Sequence, residues 1–157
     1  MLSRTDRMTY EEYLEENGKL TYSNVGVSML PLLRQGRDLF TVEKNDGKRF
    51  KKYDVVLYRR YSSKKNRTEY VLHRIVGVRP DSYVIIGDNC VNYEYGIRDC
   101  DILGRMVSIT REGGRVITAD SFGFRAFSVV WVRLTPVRIF LKKARMRFRR
   151  AVRKVLQ

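Results

Sequence analysis

The chain contains one histidine, His73, and an imidazole is the side chain best suited to accept and return a proton near neutral pH. His73 lies within the alternating run 70–76, and this alternation predicts a β-strand with the histidine on one defined face. A serine hydroxyl becomes a good nucleophile only when such a base lies within hydrogen-bond reach. A single strand histidine is more often structural, so the surrounding sequence has to decide its role.

Six short sequence blocks surround this histidine and provide that context. In chain order they are Gly26-Val27-Ser28-Met29-Leu30-Pro31, Gly36-Arg37-Asp38-Leu39, Lys52-Tyr53-Asp54-Val55-Val56, His73-Arg74-Ile75, Gly87-Asp88-Asn89 and Asp101-Ile102-Leu103-Gly104-Arg105. Together they resemble the conserved boxes of signal peptidase I enzymes and of the related LexA-type repressors. The resemblance covers residues 24–104, and it is specific because all six blocks occur in register.

The resemblance implies a serine endopeptidase that cleaves an extended peptide or leader segment and needs no cofactor and no metal. By position, Ser28 corresponds to the nucleophile and His73 to the general base. Bacterial signal peptidases have lysine at the second position, whereas the archaeal and endoplasmic-reticulum enzymes have histidine. A lysine must be desolvated to lose its proton near pH 7, but an imidazole needs little adjustment of its pKa.

A histidine base is normally oriented by a carboxylate, and the sequence offers several. We expect Asp88 of the Gly-Asp-Asn block to fill this role first and Asp101 or Asp99 second, with Glu94 as a further candidate. Each of these could equally be an ordinary loop carboxylate.

Gly26, Met29 and Pro31 are expected to support the substrate and the oxyanion around Ser28. Signal peptidases commonly carry a serine two residues before the nucleophile, and this chain has Gly26 there. The oxyanion hole would then depend mainly on the backbone N–H of Ser28.

The elements that must position these residues are mostly strands. The segment 1–18 predicts a short helix, with a capping box at Thr9 and Glu12 and a stop at Gly18. Residues 19–120 predict a β domain of antiparallel, coiled or barrel-like sheets. The candidate strands are 20–25, 39–43, 55–60, 70–79, 83–87, 103–111 and 115–118.

The remaining segment, 121–157, holds eleven of the 32 Lys and Arg residues and no Asp or Glu, so it carries most of the net charge of +15. From Thr135 onward, apolar residues recur every three or four positions, which predicts a basic amphipathic helix over 135–157. This helix could lie on an anionic membrane surface, contact the phosphates of nucleic acid, dock an acidic partner, or pack on the domain's own core. The apolar stripe favours the membrane surface over nucleic acid, because phosphate binding requires no such stripe.

No apolar stretch is long enough to span a membrane, and the first residues lack the apolar core of a secretory signal. We therefore expect a cytoplasmic protein with peripheral membrane contact at most. Cys90 and Cys100 are expected to be buried, reduced thiols. The alternative function is a non-catalytic module of peptidase fold that binds nucleic acid or anionic membrane through its basic surface.

Overall fold

The computed structural model describes residues 8–63 and 65–155. Its helices and strands, in chain order, are α1 (Tyr10–Asn17), β1 (Lys19–Ser23), β2 (Leu39–Lys44), β3 (Val55–Ser62), β4 (Arg67–Val78), β5 (Tyr83–Ile86), β6 (Glu94–Ile97), β7 (Ile102–Thr110), β8 (Val116–Thr118), α2 (Phe122–Arg133) and α3 (Thr135–Val155). A short 3-10 turn, Asp99–Asp101, precedes β7. No helix in the described ranges is long and apolar enough to cross a membrane.

The strands form one antiparallel sheet in the order β1-β2-β7-β3-β4-β5-β6, with β8 paired to β7. The mostly β fold and the short N-terminal helix are therefore confirmed. The sheet is neither closed nor strongly curled, which differs from the barrel-like arrangement that we expected. Its terminal strands, β1 and β6, lie at opposite ends of the pairing order, so the sheet keeps two open edges.

Two elements were not expected from the sequence. Strand β6 has only four residues, Glu94–Ile97, and they lack the apolar alternation that marks a strand. It also includes Gly96, which has a φ of +76°. Helix α2 fills the first part of the tail, where we predicted only the later helix. The tail is thus two helices, and Leu134 separates them.

The N-terminal helix forms as its sequence predicts. The Thr9 hydroxyl accepts from the Glu12 N–H at 3.2 Å, and the Glu12 carboxylate accepts from the Thr9 N–H at 2.8 Å. Gly18 ends the helix in the left-handed conformation, which glycine adopts without strain. Leu14 is buried in the core below, so α1 is fixed to the sheet.

Both faces of the sheet are buried near its centre. Along β3, Val55 and Leu57 join one apolar cluster, while Val56 and Tyr58 join the other. This is the period of two that a strand imposes on its side chains. The same alternation on β4 sends His73 and Arg74 to opposite faces, and the two residues consequently meet different partners.

Arg74 forms a fully buried ion pair with Asp88, and both side chains have no solvent exposure. The guanidinium donates from Nε and Nη2 to the two carboxylate oxygens, each at 2.8 Å. Its remaining nitrogen donates to the Tyr53 carbonyl at 3.1 Å and to the Ser128 hydroxyl at 2.7 Å. The Asp88 carbonyl in turn accepts from Trp131 and Arg138. The ion pair and the Asp88 carbonyl together therefore join β4, the β5–β6 loop, α2 and α3.

Replacing Asp88 by alanine should destabilise the protein by about 3–5 kcal/mol, because an unpaired guanidinium would remain buried. Urea unfolding followed by circular dichroism measures this loss. Asp120→Ala is the matched control, since Asp120 is exposed and pairs with Arg105 and Arg125 at the surface. The control should cost less than about 1 kcal/mol. Equal effects of the two substitutions would show that the buried pair does not hold these elements together.

Candidate functional site

A cleft of about 900 Å³ lies beside the exposed end of β4, and both Ser28 and His73 line it. The serine comes from the segment between β1 and β2, and the histidine comes from β4. The loop between β5 and β6 adds Asn89 and Cys90. Helix α3 closes one side with Lys142 and Met146. The structure thus brings the two principal predicted residues to one cavity.

His73 is 5% exposed, and its ring is held from the Nδ1 side. Nδ1 lies 3.1 Å from Oε1 of Glu94 and 3.2 Å from the Tyr58 hydroxyl. The same Glu94 oxygen accepts from Nη1 of Arg60 at 2.7 Å. The imidazole is therefore oriented by a carboxylate that is itself fixed by an arginine.

This arrangement decides which nitrogen of the ring carries the proton. Burial opposes the ionisation of Glu94, but its contacts with His73, Arg60 and Tyr58 outweigh that effect and lower its pKa to about 2. An ionised carboxylate can only accept hydrogen bonds, so Nδ1 of His73 must be the donor. The other ring nitrogen, Nε2, is then the one free to accept a proton.

Burial alone would lower the pKa of His73, yet the neighbouring Cys90 and Glu94 raise it above its ordinary value. Both partners favour the imidazolium, since one is a carboxylate and the other is an ionisable thiol. The consequence is a base that is stronger than a solvated histidine.

Cys90 stands on the Nε2 side of the ring. A Cβ atom built on Gly87 would lie 2.8 Å from His73 Nε2 and 2.7 Å from Cys90 Sγ, so the missing side chain at position 87 leaves room for both groups. The interaction with His73, although opposed by burial, holds the pKa of the Cys90 thiol below its ordinary value. The sequence did not predict this contact, because Cys90 was expected to be an inert buried thiol.

Ser28 lies at the start of the turn 28–32 and is half-buried. The Asn89 backbone N–H donates to the Ser28 carbonyl at 2.7 Å, and the Asn89 side chain donates to the Val27 carbonyl at 2.9 Å. Lys142 of α3 holds Asn89 from the other side, with 2.6 Å between Nζ and Oδ1. The serine backbone is therefore positioned by the loop that also carries Asp88 and Cys90.

The Ser28 hydroxyl makes no hydrogen bond with any described residue, and no bond joins it to His73. It lines the cleft without a partner. Its backbone is held by Asn89, so rotation about the Cα–Cβ bond is the freedom that the hydroxyl retains.

The expected carboxylates differ from the one that the structure places at the histidine. Asp88 is committed to Arg74, and Asp101 accepts from the Arg98 N–H at 2.9 Å. Asp99 accepts from the Tyr83 hydroxyl. None of these three contacts His73, and Glu94 does. Glu94 was only a further candidate because strand β6, which delivers it to the ring, has no clear sequence signal.

The three expected support residues have different surroundings. Gly26 lines the cleft at φ +90°, and its carbonyl accepts from the Asn24 side chain at 2.9 Å. Met29 is fully buried in the apolar core, so it supports the turn from below. Pro31 is exposed and does not line the cleft.

Other potential sites are less suited to chemistry. A second cleft, of about 1030 Å³, lies between the β2 end and α2 and includes Asp54, Arg105 and Asp120. None of the predicted site residues lines it.

Within the described ranges, no group of three or more His, Cys, Asp or Glu side chains is arranged to hold a metal ion. Cys90 and Cys100 form no disulfide, and Cys100 is exposed, contrary to the expectation that both are buried.

Comparison with known proteins adds no family to this geometry: no protein-family model, curated protein or solved structure matches the chain. The resemblance to signal peptidases stays a prediction from the six sequence blocks.

The contact between Cys90 and His73 can be tested without a substrate. At pH 7, iodoacetamide should alkylate Cys90 about tenfold faster in the native protein than in His73→Ala, because the imidazole favours the thiolate. Peptide mass spectrometry resolves the two cysteines, and Cys100 in the same molecule provides the internal reference. Identical Cys90 rates in both proteins would exclude a functional contact.

Proposed function

We propose that this protein is a serine endopeptidase of the signal-peptidase type, with Ser28 as nucleophile and His73 as general base. The observation that carries the proposal is the Glu94–His73 pair, which assigns the proton to Nδ1 and leaves Nε2 as the accepting nitrogen of an imidazole that lines the same cleft as Ser28. In serine hydrolases a carboxylate–imidazole pair of this kind activates the nucleophilic hydroxyl.

Each group has a defined part in the proposed reaction. Nε2 of His73 accepts the Ser28 proton as the hydroxyl oxygen attacks the peptide carbonyl. Glu94 stabilises the imidazolium that forms, and the Ser28 backbone N–H stabilises the oxyanion. The imidazolium then protonates the departing amine, after which water, activated by the same base, releases the acyl group.

The edge of β4 supports an extended substrate. Residues 67–73 pair with β3 on one side, while β5 pairs only with Arg74 and beyond on the other side. Within residues 8–63 and 65–155 no strand pairs with this edge, and the edge lines the cleft directly beside His73. A peptide in extended conformation can add to such an edge through main-chain hydrogen bonds, with alternate side chains directed into the cleft.

A signal-peptidase or LexA-like fold is part of the same proposal. The antiparallel sheet and the positions of the blocks support it: the serine block forms a turn, the histidine block lies within β4, and the Gly-Asp-Asn block forms the loop that holds the serine. The open sheet is the feature that departs from the coiled sheets expected for that family.

Cys90 is a second candidate nucleophile, because its sulfur lies on the Nε2 side of His73 whereas the Ser28 hydroxyl makes no hydrogen bond with the ring. A thiol with a lowered pKa next to an imidazole is the arrangement of cysteine peptidases. We favour Ser28 because the serine belongs to the matching sequence block.

Three alanine variants separate these assignments. Ser28→Ala and His73→Ala should each reduce cleavage of an unstructured peptide library by at least about 10³-fold, since both remove a reacting group. Cys90→Ala should stay within about tenfold of the native rate, because the thiol is not consumed in the proposed reaction. Mass spectrometry of the products and labelling by a fluorophosphonate give independent readouts.

Ser108→Ala, on strand β7, is the matched control and should cleave like the native protein. If Cys90→Ala is inactive while Ser28→Ala still cleaves, the enzyme is a cysteine peptidase. If native protein shows neither cleavage nor labelling but binds nucleic acid with steep salt dependence, the non-catalytic module is correct instead.

The pH dependence tests the role of Glu94. His73 acts as a base only when it is unprotonated, so kcat/KM should rise with pH through a midpoint above about 6.5, in accord with its raised pKa. Glu94→Gln should lower kcat and shift that midpoint downward, because a neutral amide no longer favours the imidazolium. Asp101→Asn is the control, and its midpoint should equal that of the native enzyme. An unchanged midpoint in Glu94→Gln would remove Glu94 from the mechanism.

A further inference from the structure

Helix α3 presents one side to the domain and the opposite side to solvent. The inner side carries Thr135, Ile139, Lys142 and Met146, which recur at the helical spacing of four, three and four residues. Thr135 is buried, and Ile139 and Lys142 are half-buried. Arg138, on the same side, donates to the Asp88 carbonyl. The helix is therefore attached to the loop that positions Ser28.

The outer side is apolar and uncovered. Val137, Leu141, Phe148 and Val152 recur at spacings of four, seven and four residues, which places them on the side opposite the inner residues. Phe148 is 70% exposed and Leu141 is 60% exposed, and the adjacent Phe140 is 70% exposed. Packing of this stripe on the core of the domain was one of the alternatives that the sequence left open, and the exposure of these residues is contrary to it. Val155, expected to continue the stripe, has no described side chain.

Cations flank this stripe on both sides. Five exposed residues of the helix are basic, namely Lys143, Arg145, Arg147, Arg149 and Arg150. None of them forms an ion pair with the described part of the chain, and the helix contains no acidic residue. The uncovered surface therefore combines exposed aromatic side chains with concentrated positive charge.

We infer that α3 docks on the surface of an anionic phospholipid bilayer, with its apolar stripe inserted between the headgroups and its cations on the lipid phosphates. A helix with this pattern inserts its apolar side by about 5–10 Å and gains affinity from negatively charged lipid. Nucleic acid would leave the aromatic stripe in water. A second copy of the chain would bring two strongly basic helices together, so their charges would repel.

Docking in this way has a consequence for the cleft, and this part depends on the proposed peptidase function. The inner side of α3 lines the cleft, while the outer side contacts lipid. The helix itself thus separates the cleft from the bilayer by about one helix diameter, roughly 10–12 Å. Peptides that emerge from, or lie on, the membrane surface would be the accessible substrates.

Vesicle co-sedimentation of the full chain tests the docking, and it needs no catalytic activity. Binding to phosphatidylcholine vesicles containing phosphatidylglycerol should be at least about tenfold stronger than to phosphatidylcholine alone. The double variant Leu141→Glu and Phe148→Glu should lose at least about tenfold of this affinity, because it removes apolar contacts and adds repulsion. Val116→Glu changes an equally exposed apolar residue on β8 and should bind like the native protein.

Neutralising the cations that flank the stripe provides a second test of vesicle binding. Arg145→Gln with Arg147→Gln should weaken binding to anionic vesicles about tenfold or more, and Arg115→Gln should not. Equal binding to neutral and anionic vesicles, or full binding by the Leu141 and Phe148 variant, overturns the inference. Duplex DNA binding that survives the apolar substitutions, or a stable dimer in sedimentation velocity without vesicle binding, overturns it as well.

Discussion

The buried contact between Arg74 and Asp88 is the constraint on which the rest of this molecule depends. A guanidinium and a carboxylate with no solvent exposure must satisfy each other, so the strand that carries one cannot separate from the loop that carries the other. The strand also carries His73, and the loop also carries Asn89, which holds the backbone of Ser28. The relative position of the proposed base and nucleophile is therefore set by two residues that take no part in the proposed chemistry.

Because side chains alternate along β4, this one strand contributes both to the buried ion pair and to the cleft. Adjacent residues face opposite sides, so Arg74 reaches α2 and the interior while His73 reaches Tyr58, Glu94 and the cleft. A shift of the pairing by a single residue would exchange the two faces and place the guanidinium in the cleft. Because Arg74 must pair with Asp88, the pairing register of β4 is fixed next to His73. The position of the proposed base is fixed with it.

Seven of the strands and the first helix follow from local sequence, because apolar alternation and a capping box act within a few residues. Strand β6 and the roles of Asp88 and Glu94 do not, because they depend on which carboxylate the fold brings to which cation. Asp88 has the more suggestive sequence context, yet Arg74 neutralises it and leaves the histidine to Glu94. The contact between Cys90 and His73 could not be predicted from local sequence either, because it depends on the space that the absent side chain of Gly87 leaves in the fold.

The free edge of β4 could add a peptide strand, but it could also pair with the edge of another molecule. A strand with free N–H and C=O groups can pair with the same strand of another molecule, which is a common beginning of aggregation. Here the edge begins with Arg67 and lies next to Lys65 and Arg60, in a chain whose net charge is +15. Two such edges approaching each other would repel, whereas a neutral or acidic peptide would not. Electrostatic repulsion between copies therefore opposes such pairing, and raised ionic strength weakens that repulsion.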